Sequence, residues 1–134
     1  MIVHLDVASA KRIIAREIAD PPPIRDATGF ESAVLQSQHS AFGEDAYETI
    51  FDKAGAILFA IVKFHPLVDG NKRAGWLLSA AFLAANGLDL SSVSNDDVYD
   101  TVIKVAEDAT IERPWVSARL HQLWLDQDGD NDAP

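Results

Sequence analysis

Between Tyr47 and Val62 the apolar positions fall three or four residues apart, at Tyr47, Ile50, Phe51, Ala54, Ile57, Leu58, Ile61 and Val62. That spacing predicts a helix with one buried face. Pro66 ends it, because a proline disfavours helical geometry in the residue before it. From Ala74 to Ala85 the run AGWLLSAAFLAA is apolar nearly all round, which predicts a second helix enclosed by others. It is too short to span a bilayer.

Weaker patterns predict further helices. Asp6 reads as the cap of one that carries Val7, Ala10, Ile13, Ile14 and Ile18 on one face and ends by Ala19, after an extended lead-in at Ile2 to Leu5. The triplet Pro21-Pro22-Pro23 breaks that helix into a stiff connector. Thr28-Gly29 predicts a turn before a short helix from about Glu31 to Gln38. Asn86-Gly87 is a stop signal, followed by a brief extended stretch from Leu88 to Leu90. Ser94 with Asp97 reads as a capping box for a helix bearing Val98, Val102, Val105 and Ala106. Pro114 suits the first turn of a last helix packed through Trp115, Leu120, Leu123 and Trp124. His4 and His39 read as surface residues, and His121 as a surface or capping residue.

No alternating strand series, repeat or linker interrupts this order. The expected architecture is therefore all-α, a compact helical bundle forming a single domain over residues 1–125, with an acidic disordered tail at 126–134. The tail, DQDGDNDAP, is not a calcium loop, since its glycine comes too early and no bidentate glutamate follows.

Composition narrows the picture further. A chain of 134 residues, 48% hydrophobic and 24% charged, can bury a core without cross-links. It has no cysteine, which excludes disulfides and thiolate chemistry. A net charge of −10 opposes broad nucleic-acid binding and suits a basic partner surface, or solubility alone. Lys11, Arg12 and Arg16 interrupt the first apolar runs, so no secretory signal is expected and a cytoplasmic setting is the default.

The candidate chemistry is concentrated between the two strongest helices, in HPLVDGNKR from His65 to Arg73. His65 can take a proton near neutral pH and so act as a general base. Asp69 supplies a hard oxygen of the sort magnesium takes alongside phosphates. Gly70 lets backbone approach an anion closely. Asn71 offers an amide donor, Lys72 a compact charge and Arg73 a planar fork for phosphate oxygens. The loop delivers all of them to a helix start, where unpaired N–H groups and the positive end of the dipole attract anions. Phosphoryl or nucleotidyl transfer is the chemistry such a set can perform. The competing interpretation is a polar turn with Lys72 and Arg73 simply solvated.

HPLVDGNKR resembles the signature of the Fic/Doc family, His-Pro-Phe-x-Asp/Glu-Gly-Asn-Gly-Arg with a second arginine three residues on. Lys72 stands at the second glycine of that signature, Trp76 at the second arginine and Leu67 at the phenylalanine. The first two substitutions are like those of the family's Doc branch. The similarity extends through RDATGFESA (Arg25 to Ala33) and AFGEDAY (Ala41 to Tyr47), and on to Asn86 and Gly87.

The resemblance implies a helical Fic/Doc bundle, with the helix after the loop at its centre and a short flap within Ser37 to Gly43. In the flap, Ser40, Ala41, Phe42 and Gly43 would pair with the backbone of a target protein. It implies ATP as substrate and Mg2+ held by Asp69, with Gly70, Asn71, Lys72 and Arg73 around the phosphates. His65 would be the base for a target Ser or Thr hydroxyl, and Arg25 a support of the cleft. In AMP-transferring members a glycine at the Lys72 position leaves room for one end of the nucleotide. The lysine implies the reversed orientation, which offers the γ-phosphate.

Elongation factor Tu is the implied target, with arrest of translation as the result. The chain has no complete Ser/Thr-x-x-x-Glu-Gly/Asn self-restraint motif, for Ser40 and Glu44 are followed by Asp45. Restraint by a separate Phd-like antitoxin is therefore expected. AMP transfer, and a non-catalytic binding or regulatory module that keeps the loop, are the alternatives.

Overall fold

The computed structural model describes residues 1–41 and 44–131. Six helices follow in order: α1 Val7–Glu17, α2 Ala27–Val34, α3 Ile50–Phe64, α4 Asn71–Ala85, α5 Asn95–Glu107 and α6 Arg113–Asn131. A 3-10 turn, Leu35–Gln38, extends α2. Among the described residues the strands are confined to one antiparallel hairpin, β1 Ser40–Ala41 with β2 Glu44–Asp45, in which Ser40 faces Asp45. The fold is all-α, as the pattern predicts, and no described helix is long and apolar enough to cross a membrane.

Local chemistry sets the helix starts. Asp6 accepts the N–H of Ser9 at 2.7 Å to open α1. Thr49 and Asp52 form a reciprocal capping box at the start of α3, with bonds of 3.0 and 3.1 Å. Ser94 accepts the N–H of Asp97 at 3.1 Å to open α5. One start falls earlier than expected. Asp26 accepts the N–H of Gly29 at 2.9 Å, so Thr28 and Gly29 lie inside the first turn of α2 instead of in a turn before it. Tyr47, counted with the α3 stripe, precedes the helix; its hydroxyl donates to Gln36 Oε1 at 3.0 Å.

Helix α3 is the centre of the packing, lying between α4 and α6. Its burial goes round the helix, taking in Phe51, Ala54, Ala56, Ile57, Leu58, Ala60, Ile61 and Val62. Small residues permit this. A Cβ on Gly55 would sit 3.0 Å from the backbone N of Ser117, so α6 reaches this position only because the side chain is missing. The buried side of α4 includes Ala74, Leu78, Phe82 and Leu83, while Trp76, Leu77 and Ala80 are half-buried.

One expectation is corrected. Helix α6 continues to Asn131, through the first part of the stretch read as a disordered tail. The buried side chain of Gln127 explains why: its Oε1 accepts the N–H of Ser92 at 2.8 Å and its Nε2 donates to the carbonyl of Asp89 at 3.0 Å. The rest of that tail, 132–134, lies outside the described residues. His121 is exposed, as the surface reading expects, and it has partners that the sequence does not show. Its ring stacks on Phe51 with centroids 4.5 Å apart and planes at 17°, beside Trp124. His4 is exposed as expected, and its Nδ1 lies 3.0 Å from Ser37 Oγ.

Candidate active site

The loop between α3 and α4 is built from the end of one buried helix and the start of the next. His65 closes α3 with its N–H on the Ile61 carbonyl at 3.3 Å and takes a left-handed conformation, φ 51° and ψ 54°. For a residue other than glycine this costs about 1–2 kcal/mol, so the surroundings must hold it. They do so through the connector that follows α1. The Pro66 carbonyl accepts both the Arg25 and the Asp26 N–H, at 2.9 and 3.0 Å, and the Val68 N–H reaches the Pro23 carbonyl at 3.0 Å. The Arg25 guanidinium donates to the carbonyl of His65 itself. Arg25 thus holds the backbone of the loop at His65.

Leu67 is the anchor. Only 1% of it is exposed, and it forms an isolated antiparallel bridge with Ile24. Asn71, the first residue of α4, is buried beside it. Asn71 Oδ1 accepts the Leu67 N–H at 3.0 Å, and Nδ2 donates to the Leu67 carbonyl at 3.1 Å. Its Nδ2 also lies 3.5 Å from His65 Nδ1, a distance at the limit of a hydrogen bond. The side-chain amide therefore braces the loop through one of its Nδ2 hydrogens, and its backbone N–H at the helix start is a further donor.

Gly70, at φ 73°, turns the chain into α4, and no side chain caps this helix start. The first backbone bond of the helix is Ala74 N–H to Gly70 carbonyl at 2.9 Å. The N–H groups of Asn71, Lys72 and Arg73 precede it, the arrangement that draws an anion to a helix end. Asp69 Oδ1 accepts the Gly70 N–H at 2.8 Å, and the carboxylate remains exposed. His65, Lys72 and Arg73 are exposed as well. Among the described residues no three His, Asp or Glu side chains are grouped to hold a metal ion. One exposed carboxylate beside an uncapped helix start is a donor set that fits magnesium, which keeps several waters and takes its other ligands from phosphates.

Lys72 and Arg73 also line a pocket of about 430 Å3 between α4 and α5, with Trp76, Val98 and Tyr99. His65 and Asp69 are not part of that lining. A cavity of about 610 Å3 between Tyr47, Phe59 and Arg113 holds none of the loop residues. Ser40 and Ala41 lie on β1 of the candidate flap, while Phe42 and Gly43 lie outside the described residues.

One residue near the flap escapes the sequence reading. Lys53 is 1% exposed, and its Nζ donates to Asp45 Oδ2 at 3.2 Å and to the Tyr47 carbonyl. A signal for it exists: Lys53 lies three residues after Ile50 and four before Ile57, on the apolar stripe of α3.

Comparison with known proteins adds two findings. The family model described as the Fic/DOC family matches residues 4–83. A curated protein from Mycolicibacterium smegmatis (strain ATCC 700084 / mc(2)155), "Toxin Doc", is 41% identical over 69 residues, 52% of this chain and 53% of the relative. The chain thus spans about half the length of the curated relative it matches. No solved structure matches.

Proposed function

This chain belongs to the Fic/Doc family, and on that footing we propose that it is a Doc-type toxin acting as a protein kinase, which moves the γ-phosphate of ATP to a Ser or Thr hydroxyl. Elongation factor Tu is the proposed target and arrest of translation the consequence. A Phd-like antitoxin is the proposed restraint.

The observation that carries this reading is the side chain at position 72. An exposed lysine stands at the second residue of a helix whose start no side chain caps, next to Arg73. Phosphoryl transfer depends mainly on positioning and on neutralising charge. The N–H groups at the α4 start, Lys72 and Arg73 supply both for a triphosphate. The ammonium fills space that a glycine would leave open, which favours the orientation presenting the terminal phosphate. A magnesium ion held by Asp69 and the phosphates would supply further neutralisation.

The remaining step belongs to His65. Its contact with Asn71 is too long to commit the imidazole strongly, and the ring is open to solvent. One ring nitrogen takes the hydroxyl proton as the hydroxyl oxygen bonds to the γ-phosphorus. The bond from that phosphorus to the bridging oxygen breaks, and ADP leaves.

Incubation with γ-labelled ATP, magnesium and a bacterial lysate tests the proposal. Label should enter a protein of the mass of elongation factor Tu with the wild type and be lost with His65→Ala. Transfer of AMP by the wild type would overturn the kinase reading, and toxicity unaffected by His65→Ala would overturn catalysis altogether.

A further inference from the structure

The Lys53 ammonium is the one buried charged group among the described residues. Burying such a group costs several kcal/mol before partners are counted, and an apolar side chain of similar size would fill the same space without that cost. What Lys53 provides beyond packing is therefore found in its contacts, and these lie on one side. Nζ donates to Asp45 Oδ2 on β2 and to the carbonyl of Tyr47 just beyond it. Asp45 is largely exposed, so the pair joins the core of α3 to the surface of the hairpin.

Neutral bonds complete the attachment. The Ala46 N–H donates to the His39 carbonyl at 2.8 Å, closing the base of the hairpin. The Tyr47 hydroxyl donates to Oε1 of the buried Gln36 at 3.0 Å, tying the same segment to the 3-10 turn. The base is held to two rigid elements, and the only charged tie among these is that of Lys53.

We infer that Lys53 is a positioning residue: by locking β2 and Tyr47 onto α3 it fixes the orientation of the hairpin, and so sets the affinity for the protein segment that pairs with it. This rests on the reading of the hairpin as a target-binding flap. The Lys53 bonds go to Asp45 and Tyr47 and not to the His65–Arg73 loop, so its effect falls on protein substrate alone. The loss of one charged hydrogen bond at a docking surface corresponds to roughly a tenfold weakening.

Two variants separate this role from general stability. Lys53→Met keeps the packing and removes the charge; Asp45→Ala alters the exposed partner and leaves the core intact. Both should speed amide exchange at Asp45 and Ala46 by about tenfold or more, with exchange in the middle of α3 unchanged. With purified elongation factor Tu as the varied substrate, both should raise its KM about tenfold while kcat and the KM for ATP stay within about twofold. A fall in kcat at constant KM, or a matching rise in the KM for ATP, overturns the inference. Unchanged exchange at the hairpin overturns it whatever the kinetics. If wild type transfers no phosphate to elongation factor Tu, the proposed activity falls and the affinity role with it, while the exchange measurement still decides whether Lys53 anchors the hairpin.

Discussion

Asn71 holds Leu67 by both polar groups of its backbone, accepting the N–H at 3.0 Å and donating to the carbonyl at 3.1 Å. Leu67 is buried, so water has no access to replace either bond. A residue whose type suggests phosphate binding thus also shapes the loop that carries His65 and Asp69.

Asn71→Ala would leave both Leu67 groups without partners. At about 1–3 kcal/mol for each buried unsatisfied group, less whatever the loop recovers by shifting, a loss of roughly 2–4 kcal/mol is expected in urea denaturation. Asn71→Asp keeps the acceptor but loses the donor and brings a negative charge to the helix start proposed to hold the phosphates. Its transfer activity should fall further than its stability does.

Arg25 acts on His65 through the backbone. Removing the guanidinium in Arg25→Ala frees the His65 carbonyl and relaxes the constraint on its left-handed conformation. The expected result is a destabilisation of about 1 kcal/mol and a fall of about tenfold in kcat, with the KM for ATP unchanged. Steady-state kinetics beside thermal denaturation would check it. A rise in the KM for ATP would instead place Arg25 at the nucleotide.

Asp52 links the α3 cap to α6. Burial alone would raise its carboxyl, but the Ser117 hydroxyl, the Thr49 backbone and side chain, and Lys53 together outweigh burial and hold it below the ordinary 3.8. Ser117 Oγ donates to its Oδ1 at 2.6 Å. Because the folded carboxyl is the stronger acid, its contribution is complete above the unfolded pKa and is lost as pH falls through the folded one. Stability should therefore decline below about pH 3.8, and Ser117→Ala should make that decline shallower. Urea midpoints taken between pH 6 and pH 2.5 on both proteins give the comparison.

Gln127 ties the last helix to the segment between α4 and α5. Gln127→Ala removes the partner of the Ser92 N–H and a donor to the Asp89 carbonyl. A loss of about 1–2 kcal/mol is expected, with faster amide exchange at Ser92. A disordered tail would give no change in either measurement.

The sequence by itself determined the order of helices and most of their starts, because a cap is made between neighbours in the chain. Asp6 with Ser9, Thr49 with Asp52 and Ser94 with Asp97 each act over three residues. It also determined which residue types converge at the loop, since Pro66 and Gly70 set His65 and Asp69 just ahead of Lys72 and Arg73 in the first turn of α4. Only the tertiary structure decided which of those groups remain free. Asn71 is engaged because Leu67 packs into the core beside Ile24, and that burial depends on a connector far upstream. The stack of His121 on Phe51, the hold of Gln127 on Asp89 and the burial of Lys53 under Asp45 have the same origin. Each joins separate elements, and such contacts follow from how the helices pack and not from the residues on either side.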